Sequence, residues 1–146
     1  MSEEAAKTGG TAVRGILLAH GYMARGMADA VRKISGSEEN VLVPVSNEGK
    51  SPDVLQEELE GLITGEPTIV FVDLTSGSCA LSARNCCRDA EHRAVVFGVN
   101  LPLLLDFVFN RSLSLEELVP RLIEKGRAGL TSTPEYTSHA HSPVSG

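Results

Sequence analysis

Four short apolar runs, each followed by a stretch of helical periodicity, constrain this chain more than any other feature. The runs are A-V-R-G-I-L-L-A at 12–19, N-V-L-V-P-V at 40–45, T-I-V-F-V at 68–72 and R-A-V-V-F-G-V at 93–99. Runs of this length suit strands buried on both faces of a sheet. After the first, Met23, Met27, Ala30, Val31 and Ile34 recur at helical spacing, and Gly36 offers a stop. After the second, Ser51-Pro52 reads as an N-cap with proline at the first helical position, and Leu55, Leu59, Leu62 and Ile63 form an apolar face. The third run leads through a short loop to a helix of small residues over about 79–89. Beyond the fourth, 101–109 is apolar and opens on Pro102. Ser114 with Glu117 then forms a capping box ahead of Leu115, Leu118, Val119, Leu122 and Ile123. This alternation predicts an α/β fold: a mainly parallel sheet of four to five strands with helices on both faces, in three α/β/α layers. Pro44 lacks a ladder donor, so the second strand belongs at an edge or ends there.

A length of 146 residues suits one domain, set here at 12–130. Residues 1–11 are polar and small and read as a flexible N-terminus. Residues 131–146, rich in Ser, Thr, Pro and His, read as a disordered tail in which His139 and His141 are inert. The formal charge of −6 argues against a nucleic-acid partner, which needs a basic face. No apolar run reaches the roughly 18 residues that cross a bilayer. Residues 1–10 lack the apolar core of a signal peptide, so a cytoplasmic location is expected. Cys79, Cys86 and Cys87 are odd in number and lack framework spacing, so they read as small residues packed along a helix, not as disulfides.

Three strands end in polar residues: His20, Asp73 and Asn100. In a parallel sheet these ends share one rim, outside which sites lie. A neutral imidazole is nucleophilic at one nitrogen when the other carries the proton. A carboxylate accepting that proton fixes the tautomer and stabilises the developing positive charge, and Asp73 is the natural partner. Gly21 lets backbone approach, and a helix starting there would aim free N–H groups at the site. The run Thr75-Ser76-Gly77-Ser78 would supply a second anion cradle. The sequence spacing of the rim shows no metal-ligand cluster, so neither a metal nor another cofactor is expected. His92, beside Glu91, reads as solvated.

Three segments resemble the mannose-family enzyme IIA domains of the phosphoenolpyruvate-dependent sugar phosphotransferase system. They are G-I-L-L-A-H-G-Y-M-A-R-G at 15–26, V-F-V-D-L-T-S-G-S at 70–78 and G-V-N-L-P-L-L-L at 98–105, with Gly126-Arg127-Ala128-Gly129 fitting as well. The resemblance spans about residues 13–130. It implies a phosphorylated histidine at His20, its hydrogen-bonding aspartate at Asp73 and a phosphate-contacting serine at Ser78. It also implies the phosphocarrier HPr as donor and a IIB component as acceptor, with contact to the membrane only through the permease. A homodimer is implied too, exchanging a C-terminal strand, which here would be Leu130 and the residues just before it. The loop after Asp73 lacks the family's tryptophan and proline. The run S-C-A-L-S-A at 78–83 resembles the phosphocarrier subunit of dihydroxyacetone kinase. A phosphoryl donor of that kind, or a regulatory phosphoreceiver, is the alternative role.

Overall fold

The computed structural model describes residues 11–88 and 91–137. The elements are β1 (Arg14–Ala19), α1 (Met23–Ser35), β2 (Leu42–Ser46), α2 (Pro52–Leu62), β3 (Thr68–Val72), α3 (Ser78–Cys87), β4 (Arg93–Phe97), α4 (Leu101–Val108) and α5 (Leu115–Ala128). The strands form one sheet in the order β2-β1-β3-β4, and every pairing is parallel. The α/β expectation therefore holds, at the lower strand number. Pro44 lies on edge strand β2, where a missing N–H costs the sheet nothing.

Successive residues of a strand face opposite layers, and the core divides accordingly. Leu17, Ala19, Ile69 and Phe71 face α1, α4 and α5, meeting Val31, Leu104, Phe107, Leu118 and Leu122. Ile16, Leu18, Val70 and Val72 face α2 and α3, meeting Leu55, Leu59, Ala80 and Ala83. β1 and β3 are covered on both sides, which is why their sequences run apolar without alternation. The Ser51 and Ser114 caps form as expected, the second as a full capping box.

Gly15 shows how closely the first layer is packed. A Cβ there would lie 2.8 Å from Phe107 Cε2 and 2.9 Å from Leu42 Cδ1. Phe107 cannot retreat, because its ring is fully buried and stands edge-on to Phe71 at 5.0 Å between centroids. Gly15→Ala is expected to lower stability by about 1–3 kcal/mol through overpacking. Urea unfolding would show a lower midpoint at an unchanged slope.

The connections fix where a site can be. The crossover from β1 leads to β2 on one side, and the crossover from β3 leads to β4 on the other. The carboxyl ends of neighbours β1 and β3 therefore flank the switch point, where such sheets leave a crevice. His20 follows β1 and Asp73 follows β3. Residues 131–137 form neither helix nor strand, and the segment before Leu130 is the end of α5. Within this chain the residues just before Leu130, expected in a C-terminal exchange strand, are the end of α5, and Leu130 follows it in neither helix nor strand. Residues 1–10, 89–90 and 138–146, with Asp89, His139 and His141 among them, lie outside the described residues.

Candidate functional site

His20 and Asp73 meet. Nδ1 of His20 lies 2.9 Å from Oδ2 of Asp73, and the backbone N–H of His20 donates to the same oxygen at 3.0 Å. The carboxylate is thereby clamped by an N–H that can only donate, and the ring nitrogen shares its acceptor. The two residues differ sharply in exposure, with the His20 side chain 42% exposed and that of Asp73 only 6%. The pair is a buried carboxylate holding the inner face of an accessible imidazole. Oδ1 of Asp73 is buried and has no hydrogen-bond partner among the described residues.

The outer nitrogen faces the loop between β3 and α3. Gly77, at φ +100°, passes so near that a Cβ would stand 3.9 Å from both Nε2 and Cε1 of His20. Gly77 is also the N-cap of α3, and no side chain caps that end. The first amides of a ten-residue helix thus open beside Nε2, where unpaired N–H groups and the helix dipole favour an anion. Arg84 braces the loop by donating from Nη2 to the Thr75 carbonyl at 3.0 Å, with its guanidinium over the Phe97 ring. Leu74, Thr75, Ser76 and Gly77 are exposed, and Ser78 is half-buried.

Three sequence expectations change. Gly21 does take a positive φ of +60°, but its N–H is not free, because Asn47 Oδ1 accepts from it at 3.2 Å. Ser46 Oγ donates to the Gly21 carbonyl at 2.8 Å, and α1 begins only at Met23. The turn after β1 is therefore tied to the end of β2 instead of serving as an anion cradle. Ser46 and Asn47 carry no signal along the chain; they reach the rim because β2 pairs with β1 and ends beside it.

Asn100 is the second change. Its Oδ1 accepts from the Leu103 N–H at 3.2 Å, capping α4, and its Nδ2 donates to the Gly126 carbonyl at 2.9 Å. Gly126 and Gly129 let α5 approach, since a Cβ on either would press on Leu103 or Pro102, at 3.1 and 2.8 Å. The G-V-N-L-P and G-R-A-G runs are one packing joint. The Asn100 side chain, expected on the site rim or facing a partner, is held in that joint.

The third change concerns Cys79. Its Sγ lies 3.9 Å from His20 Nδ1, so Asp73, His20 and Cys79 bring three donor atoms within 4.8 Å of one another. The rim does contain a cluster of ligand types, contrary to the sequence reading. It is assembled from two neighbouring strands and a helix start, which no linear spacing reveals. Burial, with the Asp73 charge adding to it, pushes the Cys79 thiol up to about 11. The His92 ring is exposed, with Nε2 4.0 Å from Glu91 Oε1, and its carbonyl accepts from the Thr68 N–H at 2.9 Å.

A doubly wound parallel sheet carrying a carboxylate-oriented histidine at its switch point, beside an uncapped helix start, defines a class: α/β proteins with an accessible, oriented imidazole on the sheet rim. Within that class the chain belongs to the EIIA-man family, described as the PTS system fructose IIA component, which matches residues 15–123. It is 31% identical over 117 residues to the mannose-specific EIIAB component of the PTS of Escherichia coli, covering 76% of this chain and 36% of that one. The chain thus spans about a third of the length of its mannose-specific relatives. It is 32% identical over 114 residues to the sorbose-specific EIIA component of Klebsiella pneumoniae, covering 75% and 84%. The fold matches the EIIA component of Streptococcus agalactiae at a TM-score of 0.77 and 21% identity, covering 84% of this chain and 98% of that one. It also matches the mannose/sorbose-specific IIA subunit of Enterococcus faecalis at 0.74 and 24%, covering 86% and 99%. Among the described residues no helix is long and apolar enough to cross a membrane.

Proposed function

We propose that this protein is a phosphocarrier in which His20 Nε2 accepts a phosphoryl group from HPr and passes it to a IIB component during sugar uptake. The observation that carries the reading is the 2.9 Å contact between Nδ1 and a carboxylate clamped from behind by a backbone N–H. With Asp73 ionised, Nδ1 holds the proton and Nε2 keeps its lone pair. As Nε2 attacks phosphorus, the bond from phosphorus to the donor nitrogen breaks and positive charge grows on the ring, facing Asp73. The three phosphoryl oxygens would meet the α3 amides and the hydroxyls of Thr75, Ser76 and Ser78. Phosphoryl transfer of this kind is mostly positioning and charge stabilisation, which such a cradle supplies.

The exposed Tyr22, Met23, Leu74 and Leu81 flank the site in sequence on both sides, and an apolar collar suits a docking protein. The family match and the sorbose-specific relative support the sugar-uptake role.

The test is mass spectrometry of the whole chain after incubation with phosphoenolpyruvate, enzyme I and HPr. One acid-labile phosphoryl group per chain, on the peptide containing His20, is expected. It should transfer onward to a mannose-family IIB domain. A chain that gains no mass, or gains it on another peptide, rejects the reading.

A further inference from the structure

We propose that His20 Nδ1, Asp73 and Cys79 Sγ together bind one zinc ion, and that this ion switches the carrier off. Binding itself does not depend on the phosphocarrier reading; the switch does.

Two observations carry the site. The three donor atoms lie within 4.8 Å of one another, with Nδ1 3.9 Å from Sγ and 2.9 Å from Oδ2. A tetrahedral zinc with bonds of about 2.0–2.3 Å sets its ligands a little over 3 Å apart, so a shift of well under about 1 Å in each suffices. Independently, the Asp73 side chain is 6% exposed and its Oδ1 has no partner among the described residues, so a buried carboxylate oxygen is left with lone pairs that a cation would take. The donor set names the metal. Thiolate, imidazole and carboxylate together suit zinc, whereas magnesium and calcium take oxygen alone. Three protein donors leave one position of a tetrahedral zinc for water.

The effect on the carrier follows from where the ring binds. Zinc takes the Nδ1 lone pair, so the single proton of the neutral imidazole must move to Nε2. Nε2 is the atom that attacks phosphorus, and protonated it has no lone pair to offer. Meanwhile the Cys79 S–H bond breaks, an S–Zn bond forms and that proton leaves to solvent. One proton is released per ion bound, with no change of oxidation state.

The experiment titrates the reduced, metal-free full chain with cobalt(II), then zinc(II). One cobalt per chain should bind with a thiolate-to-cobalt charge-transfer band, which zinc displaces. Nitrogen NMR should show the His20 ring proton on Nε2 in the zinc form. Cys79→Ser should abolish the band and weaken zinc binding by at least about 100-fold, since even outer partners of metal ligands cost roughly 10–100-fold. His20→Gln, at an exposed position, should weaken it likewise, and Cys87→Ser should change neither. Labelling from phospho-HPr should fall in proportion to zinc occupancy. Absence of the thiolate band, or its survival in Cys79→Ser, overturns the site. Zinc bound at the site with labelling undiminished overturns the switch. A chain that is never labelled, even free of metal, fails the phosphocarrier reading and takes the switch with it, while the spectra still judge the site.

Discussion

Replacing His20 with glutamine is expected to leave a folded protein that takes up no phosphoryl group. Glutamine has similar reach and polarity, but its amide nitrogen donates its lone pair to the carbonyl and is no nucleophile. The side chain is 42% exposed and packs into neither core layer, so folding loses little beyond its contact with Asp73. One hydrogen bond of that kind is worth about 0.5–1.5 kcal/mol net, or somewhat more when charged. The loss of transfer should be on the order of 10⁵–10⁶-fold, the scale seen when a nucleophile is removed from a site otherwise intact. His92→Gln is the matched control, since that ring is exposed and its Nε2 lies 4.0 Å from Glu91. Gel-shift or mass measurement after exposure to phospho-HPr reads both variants. Labelling that persists in His20→Gln would move the acceptor elsewhere and remove the basis of the proposed function.

The layers and the location of the site were legible in the sequence for a physical reason. A strand buried on both faces must be apolar at consecutive positions, so β1 and β3 announce themselves, and the first residues after them, His20 and Asp73, are polar and mark the rim. Pro44 placed β2 at the edge because a proline cannot donate to a ladder. What stayed hidden depends on which side of a turn a side chain takes. Asn100, expected at a strand end, stands past β4 beyond Gly98 and Val99, and its amide caps α4 and holds Gly126. Cys79 reads as a small helix residue, and only the first turn of α3 brings its sulfur to His20. Asn47, read as loop, reaches across the rim to Gly21 because β2 is hydrogen-bonded to β1. Periodicity reports which face a residue occupies along one element, whereas contacts between elements require the register.

Asp73→Asn separates the two jobs given to the carboxylate, and it is expected to slow transfer by about 10²–10³-fold without stopping it. The backbone N–H of His20 points at Oδ2 from 3.0 Å and can only donate. The asparagine must therefore present its oxygen there, and the same oxygen still accepts from Nδ1. The productive tautomer, with the lone pair on Nε2, survives. Its NH₂ group takes the place of Oδ1, exchanging one buried unpartnered atom for another, so stability should change little. What disappears is the negative charge facing a ring that becomes cationic as the bond to phosphorus forms. Near a protein surface, a charge pair at about 4 Å is worth up to roughly 4 kcal/mol, which at 1.36 kcal/mol per decade corresponds to about 10³ in rate. Asp73→Ala removes orientation as well as charge, leaves the His20 N–H without its acceptor and should be slower still. Single-turnover rates of phosphoryl uptake from phospho-HPr, by rapid quench, rank the three proteins. Asparagine as fast as the native protein would mean the charge plays no part. Asparagine and alanine equally slow would mean that holding the tautomer plays none. Each result would strike one of the two jobs assigned to Asp73.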